Sequence, residues 1–166
     1  SVASRGLGDV YKRQIVKRSA ARSPKDTAIV FQDRTWTYSQ LDQAVTNIAR
    51  LFIAQGLEKG DRIAAYSKNS DIFAIVFLAC ARAGLIHVPV NYQLTKDELD
   101  YILSDSDPKL ILAEEALMPF IEETEAGQKR ERMLMESLVE PALKVDGPAR
   151  DGEFSPVDTD RVQLLY

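Results

Sequence analysis

The sequence predicts an α/β fold in which helices cover a mostly parallel sheet, with a small β-hairpin near the start of the chain. The first observation behind this prediction is the alternation of strand-like and helix-like segments between Arg62 and Ala113, with short connections. Such alternation favours right-handed parallel crossovers. The second is the segment from Ile72 to Ala81, which is apolar on nearly every side of a helix. A helix of that kind is covered on most sides, so we expect it to lie inside a layered domain.

The hairpin and the helix after it are predicted from local signals. Thr27 to Phe31 and Thr35 to Tyr38 are β-rich runs separated by a three-residue turn, which indicates a hairpin. Thr37 followed by Gln40 matches a capping box, so a helix is expected to begin there. Gly56 supplies a left-handed residue that ends it. The apolar positions of this helix recur at three- and four-residue spacing, and they are Leu41, Ala44, Val45, Ile48 and Phe52.

The remaining elements follow from periodicity, caps and breakers. The predicted strands are Arg62 to Ser67, Ile86 to Val90 and Leu110 to Ala113. The predicted helices are Ile15 to Arg22, Asp71 to Ala83 ending at Gly84, a helix capped by Thr95 and Glu98 that runs to about Ser104, and Leu117 to Ala126. Asp146 to Pro156 is rich in Gly, Pro and acids and predicts an exposed connection, and Val162 to Tyr166 predicts an apolar strand.

Composition narrows the class of protein. The chain has 166 residues, of which 45% are hydrophobic and 28% charged, which is typical of a globular chain of about one domain. Its net charge is −4 with both signs interspersed, which disfavours nucleic acid as a partner. The longest apolar run is far shorter than the roughly 20 residues of a transmembrane helix. Cys80 is the single cysteine and lies inside that run, so we interpret it as a core side chain of a cytoplasmic protein.

The first residues have no helical or strand periodicity. A back-translation of Ser4 to Gln14 resembles the end of a transposase adapter used for sequencing libraries. The segment is neither amphipathic nor apolar, which disfavours a targeting peptide. We therefore expect residues 1–14 to be a non-native, disordered leader and residues 15–166 to be a truncated domain.

Few residues suggest chemistry. His87 is the only histidine, and its place in a predicted strand favours a hydrogen-bonded, half-buried residue over a general base. The spacing of Cys80 and His87 indicates neither a zinc pair nor a catalytic dyad. Single glycines at helix ends and turns exclude a recognised phosphate-binding loop in these residues.

The carboxylate and aromatic clusters are also interpreted as structural. Asp97, Glu98 and Asp100 lie near a helix start, where negative charge stabilises the helix. Glu122, Glu123 and Glu125 are expected to form a charged helix face, and Trp36 and Tyr38 to pack in the core.

Three motifs carry a family resemblance. In their order and spacing, these motifs resemble the opening of the adenylate-forming (AMP-binding) superfamily. They are Trp36 to Leu41 (WTYSQL), Gly56 to Ala64 (GLEKGDRIA) and Ala81 to Asn91 (ARAGLIHVPVN). The segment Pro89 to Thr95 is more similar to the fatty-acid and related carboxylate–CoA ligases than to peptide-synthetase domains. Many relatives carry arginine at the position of Gln93.

The resemblance implies the front part of a large N-terminal domain from an ATP-dependent acyl-CoA synthetase. In such an enzyme a carboxylate attacks the α-phosphate of Mg-ATP, giving an acyl-adenylate and pyrophosphate, and the thiol of coenzyme A then displaces AMP. It implies ATP, Mg2+ and coenzyme A for the parent enzyme, and a medium or long-chain fatty acid as its substrate.

The resemblance implies that Asp158 to Tyr166 leads into the family's phosphate loop, which the sequence does not include. We therefore predict no catalytic, cofactor-binding or metal-binding residue in this chain, and an inactive fragment. Thr37, Tyr38, Leu41, Gly84 and Pro89 are predicted to be structural positions of the family motifs. Two alternatives stay open, namely an adenylation domain that loads a carrier protein and a small non-catalytic α/β binding module.

Overall fold

The computed structural model describes residue 14 and residues 16–154 of the chain. The described residues form a three-layer α/β domain in which a four-stranded parallel sheet is covered by helices on both faces, with a two-stranded antiparallel hairpin beside it. The fold class predicted from the sequence is confirmed. Most of the predicted leader, residues 1–13, and the predicted strand Val162 to Tyr166 lie outside the described residues.

The N-terminal part follows the prediction closely. Residues 16–22 are helical, and strands β1 (Thr27–Phe31) and β2 (Arg34–Thr37) pair as an antiparallel hairpin. Helix α1 (Tyr38–Ala54) begins at the predicted capping box. Tyr38 is therefore the first helical residue and not the last residue of the strand.

The central elements alternate as predicted and set the sheet. They are β3 (Arg62–Tyr66), α2 (Asp71–Ala83), β4 (Ile86–Pro89), α3 (Lys96–Ser106) and β5 (Leu110–Ala113). With a fourth strand, β6 (Glu131–Leu134), the strand order is β4-β3-β5-β6, and all neighbours are parallel. Strands β3, β4 and β5 are short and almost entirely buried, as expected for a sheet covered on both faces.

Two hydrophobic clusters lie on opposite faces of the sheet. One joins Ile63, Ala65 and Leu112 to α1 and α2, and the other joins the alternate strand residues to α3. The alternation places successive side chains of each strand in different layers. The crossover after β3 therefore passes over one face, and the crossover after β4 passes over the other.

The region after β5 departs from the prediction. The expected single helix from Leu117 to Ala126 is wrong, because α4 (Met118–Glu122) and α5 (Glu125–Gln128) are separate. Thr124 causes the break, since its side chain caps α5 by accepting the Gly127 N–H at 2.9 Å and donates to the Ile121 carbonyl at 2.7 Å. The corner is tight, because a Cβ on Gly127 would lie 2.2 Å from the Ile121 oxygen.

The sequence also left three elements unpredicted. Strand β6 (Glu131–Leu134) pairs with β5, a 3-10 turn (Met135–Leu138) follows, and α6 (Val139–Leu143) packs on α1. Met135, Leu138 and Ala142 bury their side chains in the α1–α2 cluster.

The last described segment is held against α1 by polar contacts. Arg50 donates to both carboxylate oxygens of Glu153 and to the Gly147 carbonyl at 3.0 Å. Asn47 donates to the Lys144 carbonyl at 2.8 Å. Most residues of 144–152 are exposed, as predicted, but the segment is anchored to the domain. We call residues 144–154 the C-terminal strap.

Candidate functional site

The carboxyl edge of the parallel sheet is the best-placed region for a functional site. The crossover from β3 leads to β4 on one side, whereas β5 and β6 lie on the other side of β3. This creates a topological switch point between β3 and β5, and ligands of open α/β sheets bind in the crevice outside such a point.

Polar residues at the ends of β3 and β5 meet at this switch point. Glu114, directly after β5, accepts the Ser67 hydroxyl and the Lys68 backbone N–H, each at 3.0 Å, on the same carboxylate oxygen. Ser67 is largely buried, with 7% of its surface exposed. The contact fixes the two loops relative to each other, so the crevice has defined walls.

One groove lies on the hairpin side of the switch point. This β3–β5 groove has a volume of about 290 Å³, and its polar lining includes Arg34, Ser67, Ser70, Glu114 and Glu136. The charges in its wall are mixed, which suits hydrogen bonding to a polar ligand more than binding of one strongly charged group.

Arg34 is held in that wall by the buried carboxylate of Asp71. Its Nε donates to Asp71 Oδ2 at 2.7 Å and its Nη2 donates to Oδ1 at 2.9 Å, while Trp36 Nε1 donates to Oδ2 at 2.8 Å. Burial alone would raise the pKa of Asp71, but the hydrogen bonds from Arg34 and Trp36 outweigh it and hold this pKa below its ordinary value. The hairpin is thereby tied to the first turn of α2.

A second groove lies between the ends of β3 and β4. This β3–β4 groove has a volume of about 500 Å³, and its lining includes Lys68, Asn69, Phe73, Asn91 and Tyr92. The Lys68 ammonium lies 5.6 Å from the centre of the Tyr92 ring, within the range of a cation–π contact. Lysine and two amides beside aromatic rings can hold an anionic group and a flat apolar one.

His87 is more buried than its sequence context indicated. Its exposed fraction is 1%, and neither ring nitrogen has a hydrogen-bond partner among the described residues. The rings of Phe73 and Phe77 pack edge-on against it, with centroids 5.5 Å and 5.4 Å away. The predicted hydrogen-bonded, half-buried histidine is therefore wrong, although the strand position is right. Burial lowers the pKa of His87 to about 4, so the ring is neutral at pH 7.

Cys80 is fully buried in the α1–α2 cluster, as predicted. Burial raises the pKa of its thiol, which disfavours the reactive thiolate. Within residues 16–154, no three of the side chains of His, Cys, Asp and Glu come together in a way that would hold a metal ion. In the same residues, no helix combines the length and apolar character needed to cross a bilayer.

A model of the AMP-binding enzyme family matches residues 16–162. The chain belongs to the AMP-binding enzyme family. This match disfavours the alternative of a small non-catalytic α/β binding module unrelated to the family. The named relatives are a fatty acid–[acyl-carrier-protein] ligase, ScoC, from Streptomyces coeruleorubidus and a feruloyl-CoA synthase from an Amycolatopsis species. ScoC is 36% identical over 108 residues, and the match covers 65% of this chain and 21% of ScoC. The feruloyl-CoA synthase is 32% identical over 148 residues, and the match covers 89% of this chain and 28% of that enzyme.

The structural comparison agrees with the family match. A fatty acyl CoA synthetase from Mycobacterium tuberculosis superposes with a TM-score of 0.79 at 26% identity, covering 93% of this chain and 32% of that one. The chain thus spans between about a fifth and a third of the length of these relatives.

The five positions of the AMP-binding family motifs lie apart. Thr37 accepts the Gln40 N–H at 3.1 Å, so the predicted capping role is confirmed. Leu41 is buried in the core, and Tyr38 donates its backbone N–H to the backbone carbonyl of Asp26 at 2.9 Å. These three positions surround the start of α1.

The other two motif positions lie at opposite edges of the sheet. Gly84 ends α2 with a left-handed φ of 78°, and its carbonyl accepts the Gly60 N–H at 2.9 Å near the amino edge. Pro89 ends β4 at the carboxyl edge and lines the β3–β4 groove. The structure does not bring the five together, in keeping with packing and capping roles.

The predicted carboxylate clusters lie on the helical surface. Glu98 completes the capping box of Thr95, and this hydrogen bond lowers its pKa. Asp100 accepts the Ala126 N–H at 2.9 Å and so links α3 to α5. Glu122, Glu123 and Glu125 are exposed.

Sequence reasoning missed the residues that line the carboxyl edge. Glu114 follows a correctly predicted strand, and Ser67 and Lys68 follow β3, which ends at Tyr66, one residue before its predicted end at Ser67. Polar residues directly after buried parallel strands were the available signal, because such residues meet at one edge of the sheet.

Proposed function

We propose that the full-length protein containing this chain is an ATP-dependent carboxylate–CoA ligase. It activates a carboxylate as an acyl-adenylate with release of pyrophosphate, and transfers the acyl group to the thiol of coenzyme A. Mg2+ accompanies the ATP. The observation that carries this proposal is family membership across residues 16–162, together with the similarity to two CoA ligases over about nine-tenths of the chain.

We further propose a medium or long-chain fatty acid as the substrate, and the cytoplasm as the site of action. Two of the three named relatives are fatty-acid ligases, which supports the aliphatic substrate. The similarity to a feruloyl-CoA synthase makes an aromatic carboxylate the main alternative substrate class.

The described residues contribute a scaffold in this proposal. The sheet and its two grooves form the wall of a larger site, and no residue of 16–154 is assigned to the chemical step. We therefore expect this chain alone to give no carboxylate-dependent exchange between ATP and pyrophosphate. Exchange catalysed by the isolated chain would contradict that expectation.

A carrier protein as acyl acceptor is the second candidate, favoured by the 36% identity to ScoC. An assay of the full-length protein distinguishes coenzyme A from a carrier protein as the acyl acceptor. It is incubated with ATP, Mg2+ and a panel of fatty and aromatic acids, with either coenzyme A or a phosphopantetheinylated carrier protein, and AMP and thioester are measured. Acyl-CoA formation supports the proposal, acyl-carrier formation without acyl-CoA selects the second candidate, and absence of AMP release with every acid overturns both.

A further inference from the structure

We propose that His87 is an acid-sensitive contact between β4 and α2, which keeps α2 docked while the imidazole is neutral and loosens it when the imidazole is protonated. This inference concerns a conformational property and does not depend on the proposed ligase activity.

The position of His87 in the strand aims its ring at α2. Its neighbours Ile86 and Val88 belong to the cluster on the α3 face, and strand side chains alternate between faces. The ring accordingly packs between Phe73 and Phe77, which lie one helical turn apart on α2. A neutral imidazole fits this apolar contact, whereas an imidazolium would find no acceptor for either N–H within the part of the chain that the structure describes.

The ionisable groups of α2 do not compensate a charge at His87. The Asp71 carboxylate is occupied by Arg34 and Trp36. Arg82, at the other end of the helix, donates to residues of α1. Cys80 is a buried neutral thiol.

The ionisable groups of β3 and of the loop after it are also directed elsewhere. The Arg62 guanidinium donates to carbonyls at the end of α3. The Tyr66 hydroxyl donates to the Tyr92 carbonyl at 3.3 Å, and Lys68 lies over the Tyr92 ring. Protonating His87 therefore places a buried charge that has no partner among residues 16–154, which is costly and is relieved by separating β4 from α2.

The consequence reaches the β3–β4 groove, because Phe73 both contacts the imidazole and lines that groove. Loosening α2 removes one wall of the groove at acidic pH.

Hydrogen–deuterium exchange of α2 and β4 at pH 7 and pH 5 tests the proposal, with rates corrected for the intrinsic pH dependence of amide exchange. An open-state pKa of 6.5 and a closed-state value of about 4 predict roughly a twenty-fold increase in the opening equilibrium at pH 5. His87→Leu, which keeps an apolar side chain of similar size, is expected to abolish the increase. Glu153→Gln, which changes a distant acid, is expected to retain it.

A second readout uses the fact that His87 is the only histidine. Its imidazole Cε1–H resonance is followed by NMR from pH 7.5 to pH 4. We expect the native-state resonance not to titrate near pH 6.5. A native resonance that titrates near pH 6.5, or equal corrected exchange at pH 7 and pH 5, or an unchanged pH response in His87→Leu, overturns the proposal.

Discussion

Asp71 is the first residue of helix α2, and His87 packs against that helix. Both residues are 1% exposed, yet their polar atoms lie in opposite environments. The Asp71 carboxylate accepts hydrogen bonds from Arg34 and Trp36 and from a backbone N–H, and remains charged. The His87 ring packs against two phenylalanine rings, has no hydrogen-bond partner among residues 16–154, and remains neutral. The difference shows that burial alone does not determine protonation. The partners available in the buried site decide which form is stable.

Removing the Asp71 carboxylate is expected to have the largest effect. Asp71→Ala leaves Arg34 and the Trp36 N–H without their acceptor, and loss of one member of a buried ion pair costs about 3–5 kcal/mol. The free energy of unfolding, measured by urea titration with far-UV circular dichroism, should fall by that amount. The control is Asp42→Ala, which removes the partly exposed ion pair to Arg82 and should cost about 1 kcal/mol or less. Equal losses in the two variants would contradict the comparison.

The pH dependence of stability is the second test. The pKa of His87 is lower in the folded state, so the unfolded chain binds more protons as the pH falls below 6.5. The free energy of unfolding associated with the neutral His87 ring is fully present above pH 6.5 and is lost as the pH falls towards 4. Urea titrations across this range should show a loss of roughly 3 kcal/mol attributable to the histidine. A stability that stays flat from pH 7 to pH 4.5 would show that the ring finds an acceptor.

His87→Leu gives a smaller change of opposite sign. It removes two ring nitrogens that are buried without partners, so stability at pH 7 should rise by about 1 kcal/mol. The slope of stability against pH between 6.5 and 4.5 should flatten in the same variant. A loss of stability at pH 7 would indicate that the imidazole makes a favourable polar contact.

Glu153 extends the comparison to an ion pair that is only partly buried. Arg50 lowers the pKa of Glu153 to about 2, so its contribution is fully present above pH 4.5 and is lost as the pH falls through about 2. Because the Arg50 side chain is 26% exposed, water can solvate the guanidinium that is left, and Glu153→Gln should cost only about 0.5–1 kcal/mol at pH 7. Urea titrations at low and high salt give the measurement, and a cost as large as that of Asp71→Ala would overturn the ranking.

The sequence was sufficient for most of the central fold because its signals there are local. The capping boxes at Thr37 and Thr95 and the left-handed glycine at position 84 mark helix boundaries by contacts within a few residues. The short apolar strands β3 and β5 carried enough burial signal to be recognised.

The missed elements depend on distant contacts. Strand β6 (ERML) begins with two charged residues and is only four residues long, so its sequence resembles a loop. It is an edge strand in the described sheet and is fixed by pairing with β5. The cap at Thr124 was missed because the predicted helix ran from Leu117 through Thr124 to Ala126, whereas Thr124 accepts the Gly127 N–H and begins a separate helix.

The candidate site was the least predictable part. The contact between Ser67 and Glu114 joins residues 47 positions apart, and it follows from strand order, which periodicity does not encode. The environment of His87 likewise depends on which helix covers that face of β4.

The C-terminal strap has a consequence for the order of folding. The Arg50–Glu153 contact closes a loop of 103 residues, whereas the hairpin and the capping boxes close within a few residues. The entropy lost on closing a chain segment grows with its length, so the strap docks after the sheet has formed. Interactions made that late slow unfolding more than they speed folding. The strap therefore acts chiefly on the lifetime of the folded domain, and weakening it should expose the chain near Gly147 to proteases while the sheet remains intact.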